Sequence, residues 1–174
     1  MFQSSSFGID RYFGRGECFA AILWKEKPHA QAIIRGSKDY EDIFGIARFY
    51  QTNCGVLVSA EVTGLPFVPL LCDHFVFGFH LHEGTGCMGN EEDVFAGSMM
   101  HYNPEKCPHP RHAGDFPPLL GNRDYAYQVF LTDRFAVEEI VGRTVIIHAS
   151  PDDFKTQPSG ASGEKIACGV VRRK

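Results

Sequence analysis

His80 and His82 stand two apart in the stretch FGFHLHEGTGC (77–87), separated by a single leucine. On a β-strand, side chains at i and i+2 share a face. Both imidazoles would then point one way, and Phe79 and Leu81 the other. Further along, His101, His109, His112 and Asp115 form the pattern H-x7-H-x2-H-x2-D, and His148 ends the apolar run IVGRTVIIH. A lone histidine is ordinarily a hydrogen-bonded core or surface residue. Six of the eight histidines grouped in this way favour a metal site instead, with His29 and His74 as outliers. Imidazole is the commonest transition-metal ligand, and nitrogen-rich sites with few thiolates suit copper or zinc.

These residues need a scaffold, and the sequence describes one built of strands. Residues 29–36, 45–52, 55–66, 74–83, 125–133, 142–149 and 165–171 read as strands bounded by turn residues. The clearest is GVLVSAEVTGLP, whose Val56, Val58, Ala60 and Val62 alternate onto one face. No long helical period is visible; residues 134–142 could form one short turn. Closely spaced strands without helices between them imply an antiparallel sandwich or barrel. Two stretches break the rhythm, Gly84 to Asn122 and the Gly/Ser/Pro-rich 150–164. Loops of that length in a compact domain are usually functional or disordered. The first holds HYNPEKCPHPRHAGD, which is crowded with ligand-type side chains.

Composition narrows the class further. A chain of 174 residues suits one domain. Its net charge of −4 argues against a nucleic-acid partner, while leaving room for a local positive patch that attracts a small anion. No apolar run has the length of a membrane-spanning helix. The first thirty residues lack a signal-peptide pattern, so the expected location is cytoplasmic, unless the chain has been shortened ahead of Met1. The six cysteines, at 18, 54, 72, 87, 107 and 168, contain no C-x-x-C pair, which excludes a zinc ribbon. Taken alone, most read as buried thiols in a reducing compartment.

The blocks GFHLHE, HYNP, HAGD, IVGRTVIIH and SGASGEKIACGVV resemble the Cu,Zn superoxide dismutase family in sequence and in order, over about residues 29 to 171. The resemblance implies an all-β fold: an eight-stranded antiparallel Greek-key barrel or sandwich with two long functional loops. It implies a domain at 29–174, preceded by an extension at 1–28. Phe7, Tyr12, Phe13, Phe19 and Trp24 make that extension aromatic enough to pack on the barrel or on a second subunit. The implied activity is dismutation of superoxide to dioxygen and hydrogen peroxide, with copper and zinc as cofactors and a homodimer as a possible assembly.

The resemblance also assigns residues. His80, His82, His101 and His148 would bind copper, and His101, His109, His112 and Asp115 zinc, so that His101 bridges the metals and takes part in catalysis. Asp152 would join copper and zinc ligands through their outer ring nitrogens, and Cys87 would pair with Cys168. Lys165 stands where the family usually has an anion-guiding arginine; it keeps the charge without the planar fork. His109 and His112 are closer together than is common in the family, with Pro108 and Pro110 stiffening the turn. The loop is either pruned with all its ligands kept, or one of the two histidines has lost its role. These departures keep open a copper or zinc carrier on the same barrel, and more remotely a metal-free barrel kept for protein interaction.

Overall fold

The computed structural model describes residues 19–69 and 75–174. The main body is a seven-stranded antiparallel sheet in the order β5-β8-β9-β1-β2-β3-β7. Its strands are β1 (Ala30–Gly36), β2 (Phe44–Thr52), β3 (Gly55–Thr63), β5 (Phe79–His82), β7 (Ala126–Thr132), β8 (Thr144–His148) and β9 (Lys165–Arg173). Two short strands, β4 (Val76–Phe77) and β6 (Leu119–Leu120), pair with each other. Because β4 leads into β5 across Gly78 and β6 lies beside β7, this pair joins the two ends of the sheet. Among the described residues, counting β4 and β5 as one strand interrupted at Gly78 gives the eight strands expected from the resemblance.

Alternation builds the interior. Val56, Val58, Ala60 and Val62 of β3 are all fully buried, with Phe49, Phe79, Leu81, Val145, Ile147 and Ile166 in the same cluster. Truncating a side chain such as Phe49 to Ala should cost about 3–5 kcal/mol through lost burial and the cavity left behind. β3 also buries Leu57 on its opposite face, against Tyr50 and Ile22. Ile22 belongs to a helix absent from the sequence reading, α1 (Phe19–Lys25), which turns Phe19, Ile22 and Leu23 toward the sheet. Seven residues are too few for a helical period to emerge from the sequence. Trp24 of the same helix is exposed, whereas Phe7, Tyr12 and Phe13 lie outside the described residues. The short turn expected near 134–142 is α2 (Val137–Ile140).

Two long segments cross the outside of this body. Residues 84–118 contain a 3-10 turn at Ala96–Ser98, and residues 149–164 contain no strand. A disulfide between Cys87 and Cys168, with Cα atoms 5.7 Å apart, ties the first segment to β9. Phe95, Val94 and Ile146 pack around it. Among the described residues, no helix is long and apolar enough to cross a membrane.

Candidate metal centre

Four histidines from three separate parts of the chain reach one point: two from β5, one from β8 and one from the loop. His80 and His82 lie on β5, whose other face sends Phe79 and Leu81 into the core, as the i, i+2 spacing required. β8 pairs with β5 in the register His80↔Ile146 and His82↔Thr144 and ends at His148. There the β8–β9 ladder shifts register between Ile147 and His148. Such a bulge re-aims the side chain that follows it. His101 comes from the loop, through a bridge to His82, while Asp115 bridges to His80. Backbone bonds from Tyr102 N–H to Leu81 O (2.8 Å) and from Leu81 N–H to Gly114 O (2.9 Å) hold both loop ends against β5. Gly114 is required for this approach, since a Cβ there would lie 2.1 Å from Leu81 O.

The result is two sets of ligand-type groups with one shared member. His80, His82, His101 and His148 form one, and His101, His109, His112 and Asp115 the other. Within each set the candidate ligand atoms all lie within 4.8 Å of one another. All six histidines are buried. Cys107 belongs to neither set. His109 and His112, the pair placed in doubt by the shortened loop, are 4% and 6% exposed.

The hydrogen bonds show which nitrogen of each ring is left over. His82 Nδ1–H donates to Met99 O (2.9 Å), and His148 Nδ1–H donates to Gly163 O (3.2 Å). Their Nε2 atoms therefore present lone pairs to each other at 3.4 Å, a repulsive arrangement that a cation between them relieves. His80 Nε2 meets Asp152 Oδ2 at 2.8 Å, leaving a buried Nδ1 with no partner. His101 Nδ1 meets Asp115 Oδ1 at 2.7 Å, leaving its buried Nε2 without a partner. In the second set, the Nδ1 atoms of His109 and His112 converge on the Asp115 carboxylate at 3.2 and 3.3 Å. Unpartnered buried nitrogens cost stability unless something binds them. The donor sets fit metals: all nitrogen in the first, and nitrogen with one carboxylate in the second.

Electrostatics favours the ligating forms of His80, His82, His112, His148 and Asp115. Burial, aided by the neighbouring imidazoles, pushes the His82 pKa well below its ordinary value. Burial likewise brings His148 down to about 3 and lowers His80 and His112. Neutral imidazole is the form that binds a metal. Burial raises the Asp152 pKa, but hydrogen bonds from His80, the Phe154 backbone and His109 outweigh it and hold the carboxyl at about 2. Asp115 is likewise lowered against its burial, chiefly by His101 and the His112 backbone.

Asp152 is the link between the sets. Its Oδ2 faces His80 and its Oδ1 lies 2.9 Å from His109 Nε2, so one carboxylate orients a ring in each. Gly160, at φ +73, lies against this contact; a Cβ there would sit 2.1 Å from Asp152 Oδ1 and 2.7 Å from His109 Nε2.

Three contributors escaped the sequence reading. Arg134 Nη1 donates to the backbone carbonyls of His112 (3.0 Å) and Asp115 (3.4 Å), bracing the second set from outside. The Gln157 amide bonds the His109 backbone. Asp93 accepts from the Lys165 ammonium at 2.7 Å, so the charge assigned to anion docking comes with a carboxylate partner. The neighbouring Glu164 is hydrogen-bonded to Tyr40. None has a local signal, because each acts on a partner at least 19 residues away.

Residues 43–171 match the family model described as copper/zinc superoxide dismutase. Two Aquifex aeolicus proteins named superoxide dismutase [Cu-Zn] 1 and 2 are 34% and 32% identical to the chain. The first alignment covers 87% of the chain and 91% of the relative, the second 84% and 86%. The solved Cu/Zn superoxide dismutase of Brucella abortus superposes with a TM-score of 0.66 at 22% identity, covering 81% of the chain and 98% of that structure, a likeness of fold. The family model and the curated relatives, each spanning most of the chain, place it in the copper/zinc superoxide dismutase family.

Proposed function

We propose that this chain is a superoxide dismutase in which His80, His82, His101 and His148 hold copper, while His101, His109, His112 and Asp115 hold zinc. The observation that carries the ligand assignment is the set of buried nitrogens left without partners at the two points where the rings converge. The reaction converts two superoxide anions and two protons into dioxygen and hydrogen peroxide. Copper supplies the one-electron redox step when bound, and zinc a fixed positive charge.

The chain's own residues do the rest. Carbonyls of Met99 and Gly163 fix the tautomers of His82 and His148, so that Nε2 of each faces inward. His101 alone belongs to both sets, and its Nε2 is the atom at which a proton can be held and passed toward product. Asp115, kept ionised, orients the opposite nitrogen of that ring. Lys165, at the end of β9 paired with His148, contributes the positive charge for docking the anion, partly balanced by Asp93.

A homodimer is part of the proposal, supported by the exposed Tyr127, Val129 and Leu131 that alternate along β7; sedimentation tests it. For compartment, the Cys87–Cys168 disulfide favours an oxidising one over the cytoplasm expected from the sequence. Fractionation of cells expressing the gene separates the two. The decisive test of function is reconstitution with copper and zinc, measuring metal content and dismutase turnover together. Stoichiometric metal with no turnover would make the chain a metal carrier.

A further inference from the structure

We propose that Gln157 is a positioning residue for the zinc site, holding the backbone of His109 in place; the inference rests on the zinc assignment above. Pro108 and Pro110 flank His109 and have no N–H groups to donate. The local turn closes with Arg111 N–H to Pro108 O at 2.9 Å, a bond that spans His109 and uses neither of its backbone groups. Among the described residues, both groups are taken by one side chain 48 positions away. His109 N–H donates to Gln157 Oε1 at 3.0 Å, and Gln157 Nε2 donates to His109 O at 2.7 Å. A longer contact from the same Nε2, 3.4 Å to Lys155 O, lies within its own loop.

A primary amide offers a donor and an acceptor side by side, as a neighbouring strand would. Glu lacks the donor and would set a carboxylate against the His109 carbonyl; Asn is one methylene shorter. Asp152, from the same segment, accepts from the ring of His109, and Gly160 leaves the room this contact needs. Residues 152–160 therefore fix this histidine at backbone and ring alike. His112 needs no such help: its N–H donates to Asp115 Oδ2 at 2.8 Å, and Arg134 holds its carbonyl. Gln157 itself is exposed and outside the hydrophobic core, so its substitution should act on the site rather than on the barrel.

The test uses the full chain loaded with copper, with zinc affinity measured by competition with a chromophoric chelator. Gln157→Ala and Gln157→Glu should weaken zinc binding by roughly ten- to a hundredfold, the range typical of outer-sphere partners of metal ligands. Copper content and the unfolding midpoint of the zinc-free protein should stay at wild-type values. Zinc affinity within twofold of wild type in Gln157→Ala would overturn the proposal. So would a drop in the zinc-free midpoint large enough to account for the weaker binding, since Gln157 would then be merely structural. His112→Ala serves as the control for the zinc assignment. If it too left zinc affinity unchanged, the assignment itself would have failed; loss of zinc there with none in Gln157→Ala would reject Gln157 alone.

Discussion

The two halves of the metal centre are built from different materials. Three of the four residues in the proposed copper set stand on strands β5 and β8, with neighbours locked into the ladder and the barrel core. The proposed zinc set lies entirely on residues 101–115, whose geometry depends on contacts from elsewhere: Asp152, Gln157 and Arg134. A strand-borne ligand inherits its position from the sheet, whereas a loop-borne ligand must have each degree of freedom restrained by a specific partner. The copper set should therefore survive damage to the zinc set better than the reverse, because His101, shared by both, is bridged to β5 through His82.

The largest effect should follow removal of a strand ligand. His82→Ala and His148→Ala should each lower bound copper and dismutase activity to near background, with the far-ultraviolet circular dichroism of the barrel retained. Elemental analysis beside the activity assay checks this. Retention of full copper by either variant would break the ligand assignment.

Next is Asp115→Ala, which removes the carboxylate that meets His101, His109 and His112 together. Zinc affinity should fall by more than about a hundredfold, since a ligand goes along with the group that orients the others. Copper should remain bound to most of the protein. Equal loss of both metals would show that the strand-borne set is no more autonomous than the loop-borne one.

Asp152→Asn sharpens the comparison, because this residue serves both sets. Both metal affinities should weaken by roughly ten- to a hundredfold. The metal-free protein adds a pH test. The folded pKa of Asp152, about 2, lies below its ordinary value of 3.8. The folded state thus favours the ionised form. The corresponding stability is complete above about pH 4 and lost as pH falls through about 2. Acid-unfolding curves of wild type and Asp152→Asn should therefore differ most at neutral pH and converge toward pH 2.

The same contrast explains what the sequence disclosed. On the strands, period-two alternation carried the message: Val56 to Val62 reached the core, and the H-x-H spacing put His80 and His82 on one face. The histidines of the loop could be assigned only through their resemblance to a family, because three-residue spacing in an irregular segment fixes no direction. Helix α1 and strand β6 were missed because seven and two residues are too short for a period to show. Gln157, Arg134 and Asp93 were missed for a different reason. An exposed amide or charge in a loop has the same local appearance whether or not a distant backbone group receives it.

The smallest effect expected, and the most informative about docking, concerns Lys165. Its ammonium donates to Asp93 Oδ2 at 2.7 Å and lies 3.4 Å from Phe95 O and 3.5 Å from Met99 O. Met99 O is also the acceptor for His82 Nδ1–H, so the lysine touches the carbonyl that orients a copper-set ring. Two consequences can be separated. If the charge matters, Asp93→Asn removes a negative charge beside the ammonium and should speed anion entry. A unit charge about 10 Å from the incoming anion contributes about 0.4 kcal/mol in water, roughly a twofold change in rate. Catalytic efficiency should rise by about that factor at low ionic strength, and its decline with added salt should steepen. Lys165→Met should move both quantities the other way. If the lysine acts instead through Met99, Lys165→Met should alter the copper spectrum, and Asp93→Asn, by loosening the ammonium, should alter it in the same sense with no change in salt slope. An unchanged spectrum together with an unchanged salt slope in both variants would remove Lys165 from the mechanism and leave docking to a charge elsewhere on the rim.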